Sequence, residues 1–167
     1  EQCWTGKEMP MTSGTKRGLE ARVRDLEAML EIRNLEVEYA RTWDTGQVEG
    51  WAAVFTEDGS FELVASEDRP GRRVAGKDEL REFCEEVNAH TTGIHLMHLP
   101  HIVVDGDTAR GWLYFEFRKV VRTAGETAQG ITAGHYDVAY VRTERGWRMK
   151  ERVEKQVIKS LQSFSGV

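Results

Sequence analysis

The strongest constraint in this chain is a change of period near Val87. Before it, apolar residues recur at three- and four-residue steps; after it, they alternate every second residue between turn sequences. A period near 3.6 marks one face of a helix and a period of two marks one face of a strand. Helices followed by an antiparallel meander make an α+β fold.

Leu19, Val23, Leu26 and Leu30 open the helical part, and Leu35, Val37 and Tyr39 continue it to Thr45-Gly46, where glycine suits a helix stop. One long helix, or two in line, therefore delivers Asp44 near its C-terminal end. Val48 to Phe55 predicts a short second helix, with Glu57-Asp58-Gly59 turning into a strand at Ser60 to Val64. Gly71 to Gly76 reads as loop and edge, and Lys77 to Val87 as a third helix with Leu80, Phe83 and Cys84 on one side. The strands expected next are His95 to Val104 and Thr108 to Val121, a hairpin about Asp105-Gly106-Asp107. After a loop from Gly125 to Gly130 come Ile131 to Thr143 and Trp147 to Val157, a hairpin about Glu144-Arg145-Gly146. Residues 1–18 read as a flexible leader, 19–160 as one domain and 161–167 as a tail.

With 167 residues the chain is the length of one domain with one core and one pocket. Charged residues make up 31% and the formal charge is −5, so there is no basic footprint for nucleic acid. No apolar run reaches the roughly 20 residues of a membrane span, and no signal-peptide core is present. Cys3 and Cys84 lie in unrelated segments, which argues against a disulfide framework and for a cytoplasmic protein.

Chemistry concentrates on Asp44 and His95. A carboxylate that orients an imidazole, beside an imidazole that moves a proton, is the equipment of general acid/base catalysis. Alternation puts His95, Met97 and Leu99 on one side of their strand, and His135, Asp137, Ala139 and Val141 on one side of theirs. If both sides face a concavity, a mostly apolar cavity holds a few polar groups, as small-molecule sites do. His95, His98 and His101 have a ligand-like density, but a strand sends His98 to the face opposite the other two, so no metal site is expected. Plain roles exist as well: Asp44 suits a turn with Thr45-Gly46, His95 a structural histidine, Tyr39 the core, and His135 with Asp137 a hydrogen-bonded pair.

Several segments taken together resemble the SnoaL-like proteins of the nuclear transport factor 2-like superfamily. They are Tyr39, Trp43-Asp44, Trp51 and Phe55 to Gly59 in the first half, and His95, Val103 to Ala109, Gly134 to Asp137 and Gly146 to Arg148 in the second. The resemblance spans Leu19 to Val157. It implies a cone in which N-terminal helices pack against a curved, mostly antiparallel sheet enclosing a pocket. It also implies an Asp–His pair that drives eliminations without metal or organic cofactor, as in scytalone dehydratase and bile acid 7α-dehydratase.

Asp44 and His95 fall on that pair, and Tyr39 falls where the bile acid enzyme has a functional tyrosine. Trp43 stands in place of a scytalone dehydratase tyrosine, Phe61 near a second one, and His135 and Asp137 near a polar Ser and Asn pair. Glu116 lies on the strand that carries that enzyme's other histidine, and Leu99 where many relatives have a polar residue. Asp44, His95 and Tyr39 are thus the expected catalytic residues; Trp43, Phe61, Leu99, Glu116, His135 and Asp137 are expected to contact substrate. The implied activity is a dehydratase-type lyase acting on an apolar cyclic or aromatic hydroxylated molecule, in a homodimer or homotrimer. A carbon–carbon lyase, an isomerase or cyclase using the same pair, a ligand-binding protein, and a partner like the small subunit of aromatic-ring dioxygenases remain open.

Overall fold

The computed structural model describes residues 18–67, 69–123 and 126–164. The leader expected over residues 1–18 and Cys3 thus lie outside the described residues, save for Gly18. Helix α1 (Leu19–Asp44) is continuous over 26 residues. It is followed by α2 (Val48–Ala53), strands β1 (Phe55–Leu63) and β2 (Arg72–Ala75), and helix α3 (Lys77–Asn88). The remainder is β3 (Thr91–Met97), β4 (His101–Asp105), β5 (Thr108–Thr123), β6 (Glu126–Thr143) and β7 (Gly146–Phe164). No described helix is long and apolar enough to cross a membrane.

The strands form one curved, unclosed sheet in the order β2-β1-β7-β6-β5-β3, with β4 also paired to β5. All pairings are antiparallel except β1 with β7. The expected hairpins form where the turn residues allow them: Gly106 and Gly146 take φ of 60° and 85°, a region that costs glycine little and other residues much.

Five expectations change. The strand anticipated from His95 to Val104 is two strands, broken at His98-Leu99-Pro100, because proline cannot donate to a ladder. Strand β1 begins at Phe55 rather than Ser60, passing Glu57-Asp58-Gly59 as a register shift instead of a turn. The loop expected over Gly125 to Gly130 is mostly strand, since β6 pairs with β5 from Glu126 onward, and β7 continues to Phe164 instead of ending at Val157. Finally, the Leu19, Val23, Leu26, Leu30 and Val37 stripe of α1 faces outward. The helix buries Ala28, Ile32, Glu36, Tyr39, Ala40 and Trp43 instead, a second face with the same spacing.

Aromatic rings fill the space between α1, α2, α3 and the sheet. Trp51, fully buried, packs 5.0 Å from Trp43, 5.1 Å from Phe55 and 5.7 Å from Tyr39 between ring centroids. Truncating such a tryptophan to alanine costs about 3–5 kcal/mol. Lys77 ties the elements together by donating to the carbonyls of Ala52 and Phe55, at 2.6 and 2.7 Å. These bonds anchor α3 where α2 ends and β1 begins.

Candidate active site

Asp44 closes α1 and His95 lies on the inner face of β3, and the packing of this helix against this strand brings them together. His95 Nδ1 lies 2.6 Å from Asp44 Oδ1, and the His95 backbone N–H donates to Asp44 Oδ2 at 2.8 Å. An ionised carboxylate only accepts, so the ring proton belongs on Nδ1 and the lone pair on Nε2. A negative charge at a helix C-terminus meets the negative end of the helix dipole, an unfavourable term of roughly 0.3–1 kcal/mol. Two donors from one residue offset it and fix the carboxylate.

Aromatic rings hold the imidazole in place. It stacks on Phe117 with centroids 4.4 Å apart and meets the edges of Tyr39 at 6.1 Å and Trp43 at 6.3 Å. Its side chain is only 5% exposed, against 16% for Asp44. With Nδ1 engaged, Nε2 is the ring atom available to the cavity that His95 lines.

That cavity has a volume of about 450 Å³, within the ordinary range for small-molecule sites. Tyr39, Trp43, Phe61, Phe83, Phe115 and Phe117 form its aromatic walls, while Arg69, Arg72, Lys119 and Glu154 add charge. Two larger surface concavities, of about 600 and 660 Å³, include neither Asp44 nor His95. Among the described residues no group of three or more His, Cys, Asp or Glu side chains is arranged to hold a metal ion.

Beneath Tyr39 lies a fully buried guanidinium. Arg152 Nη1 donates to both Glu36 oxygens at 2.9 Å, and the Tyr140 hydroxyl donates to Glu36 Oε1 at 2.6 Å. The guanidinium is clasped between rings, 3.9 Å from the Tyr39 centroid and 3.6 Å from that of Tyr136. Its Nε and Nη2 find no hydrogen-bond acceptor among the described residues, and the ring faces supply the compensating negative potential. Burial alone would lower the Arg152 pKa; the Glu36 carboxylate together with the Tyr39, Tyr136 and Tyr140 phenols outweighs it and raises the value. Burial also raises the pKa of Tyr39 and of Tyr136, keeping both phenols protonated.

Of the residues singled out in the sequence, Tyr39, Trp43, Phe61 and His95 line the cavity, with Asp44 directly behind His95. The other four do not. Leu99 sits in the break between β3 and β4 and is 82% exposed. Glu116 lies between the inward-facing Phe115 and Phe117 and so points outward, where Arg118 reaches it at 3.3 Å. His135 and Asp137 are likewise on the outer face of β6, His135 against Trp112 at 5.4 Å and Asp137 bonded to Lys155 at 3.0 Å. Burial lowers the His135 pKa, with Asp137 opposing. The inner face of β6 belongs to Tyr136, Val138 and Tyr140, which themselves alternate. That alternation was the available signal for Tyr136. Glu36, Arg152 and Glu154 escaped notice because charged residues are ordinarily outside.

A family model described as SnoaL-like domain matches residues 24–153, a span that includes Asp44, His95 and Arg152. The chain belongs to the SnoaL-like family. This SnoaL-like domain is 29% identical over 140 residues to the uncharacterized protein Rv2910c of Mycobacterium tuberculosis, covering 83% of the chain and 92% of the relative. Among solved structures, which include proteins with a cystatin-like fold, it is similar to a candidate aromatic ring hydroxylase from Novosphingobium aromaticivorans. The identity is 25% and the TM-score 0.70, over 83% of this chain and 94% of that one. A candidate scytalone dehydratase from the same organism shares the fold at 21% identity and a TM-score of 0.66, over 83% and 90% of the two chains.

Proposed function

We propose that the SnoaL-like cavity is the active site of a cofactor-independent lyase that removes water from an apolar cyclic or aromatic hydroxylated molecule. The observation that carries this reading is the 2.6 Å contact between Asp44 and His95 at the wall of an aromatic cavity. His95 Nε2 takes the proton from a carbon next to a carbonyl or phenol, and the imidazolium so formed is stabilised by the Asp44 carboxylate. The electrons left by that proton form the new double bond as the carbon–oxygen bond breaks. The proton returns from Nε2 to the departing hydroxide, so water is the only fragment lost. Tyr39, protonated and held by Arg152, donates a hydrogen bond to the activating or departing oxygen. Ile94, Leu96 and Tyr114, exposed on the outer face of the sheet, suit assembly as a homodimer or homotrimer.

The test is to incubate wild type and His95→Asn with hydroxylated aromatics, polyketides and steroids and to follow product mass. Loss of 18 mass units with wild type alone supports the dehydratase. A product of unchanged mass assigns the Asp44–His95 pair to an isomerase or cyclase, and loss of a carbon fragment to a carbon–carbon lyase. Equal turnover by both proteins removes His95 from the chemistry, and saturable binding without turnover makes the cavity a ligand-binding site.

A further inference from the structure

One side of the cavity carries charge that no ion pair among the described residues neutralises. Lys119 projects from the inner face of β5, in register with Gly93 on β3 and Gly130 on β6, over which the Phe117 ring and the Leu161 side chain lie. Its ammonium lies 5.9 Å from the centroid of Phe117, the ring on which His95 stacks. Arg69 reaches the same cavity from the connection between β1 and β2. One of its terminal nitrogens donates to the Val64 carbonyl at 3.3 Å, and its Nε is buried without an acceptor among the described residues.

The neighbouring charges do not cancel this pair. Arg72 is answered by Glu86 through two bonds of 2.8 Å. Glu154, on the inner face of β7, accepts from the Gln156 amide at 2.6 Å and forms no ion pair with Lys119 or Arg69 within 4.0 Å. A cation withdrawn from water without a counter-ion is unfavourable. Burial lowers the Lys119 pKa, Glu154 opposing it and Lys159 and Arg69 adding to it. Arg69 and Lys119 outnumber Glu154 beside this aromatic wall, which suits an anionic group.

On the reading of this cavity as the lyase active site, we infer that Lys119 and Arg69 bind a carboxylate of the substrate while its apolar ring lies along Phe117 toward His95. The substrate is then an organic acid, amphipathic in the same sense as the cavity. The dyad provides the chemistry at one end of Phe117 and the cations fix the molecule's direction at the other.

The experiment is calorimetric titration of the full chain with 2-naphthoate and with its neutral counterpart 2-naphthamide, with His95 imidazole NMR signals reporting binding in the cavity. Wild type should bind naphthoate about tenfold more tightly than the amide, the scale of one charge-assisted hydrogen bond. Lys119→Met/Arg69→Met should bring naphthoate down to the level of the amide without changing the amide, whereas Lys119→Arg should keep the preference. Equal affinities in wild type, a preference that survives in the double variant, or no binding of either compound at millimolar concentration would each overturn the assignment. A carboxylate preference without turnover of any acid leaves the subsite standing and defeats the lyase. Turnover of neutral substrates that is indifferent to Lys119 and Arg69 does the reverse.

Discussion

Replacing Arg152 by methionine tests the buried ion pair that underlies the cavity. Arg152 is 0% exposed and Glu36 3%. The substitution leaves the Glu36 carboxylate buried with one remaining hydrogen-bond donor, the Tyr140 hydroxyl. Breaking a buried pair by removing one partner costs about 3–5 kcal/mol, and methionine retains much of the packing between Tyr39 and Tyr136. For a chain of this size each kcal/mol lowers Tm by about 2–4 °C, so the expected drop is about 6–20 °C. Glu36→Leu, which strands the guanidinium instead, should cost a similar amount. The double variant removes both charges together and should cost only about 0–2 kcal/mol, since a buried pair and an apolar substitute are often nearly equivalent. Urea unfolding followed by circular dichroism and by tryptophan fluorescence measures all three. Single variants that each cost under about 1 kcal/mol, or a double variant equal to the sum of the singles, would refute the view that Arg152 and Glu36 stabilise the fold only as a pair.

Asp44→Asn removes the oriented carboxylate but not a cavity-lining group, so kcat should fall by about 10²–10⁴-fold with little change in KM once a substrate is known. His135 has a pKa held below its ordinary value by burial, so the unfolded chain takes up the proton more readily than the folded one. Stability from this group is therefore present above about pH 6.5 and lost as pH falls below it. In His135→Gln the urea midpoint should decline less over that range, with kcat unchanged, because the residue lies outside the cavity. Burial pushes the Cys84 thiol up to about 11, so in a Cys3→Ser background a disulfide reagent should label it only after unfolding.

The sequence and the structure agree where local chemistry decides. Gly106 and Gly146 set their turns through positive φ, so both short hairpins were legible. The Asp44–His95 pair was legible as residue types and as a resemblance to a family, though the contact itself depends on α1 packing against β3. For β6 the period was legible but its phase was not. His135, Asp137, Ala139 and Val141 alternate as convincingly as Tyr136, Val138 and Tyr140, and a shift of one residue exchanges the two faces. Helix α1 posed the same problem in another period, with two apolar stripes and only tertiary packing to choose between them. Glu36 left a faint trace, four residues after Ile32 and three before Tyr39, both buried. Reading it as buried required its counterion, which lies at the far end of the sequence.

The parallel pairing of β1 with β7 also bears on how the domain is made. A ribosome releases α1, β1 and α3 long before β7, and until then β1 has only the four-residue β2 beside it. A nascent chain therefore carries both Asp44 and His95 well before Arg152 and Glu154 arrive to complete the chamber around them. Pairing between such distant segments is slow to form, which makes β7 the step that completes the domain. A chain stalled before β7 would hold the Asp44–His95 pair in an unfinished vessel, with one edge of β1 open to strands of other chains.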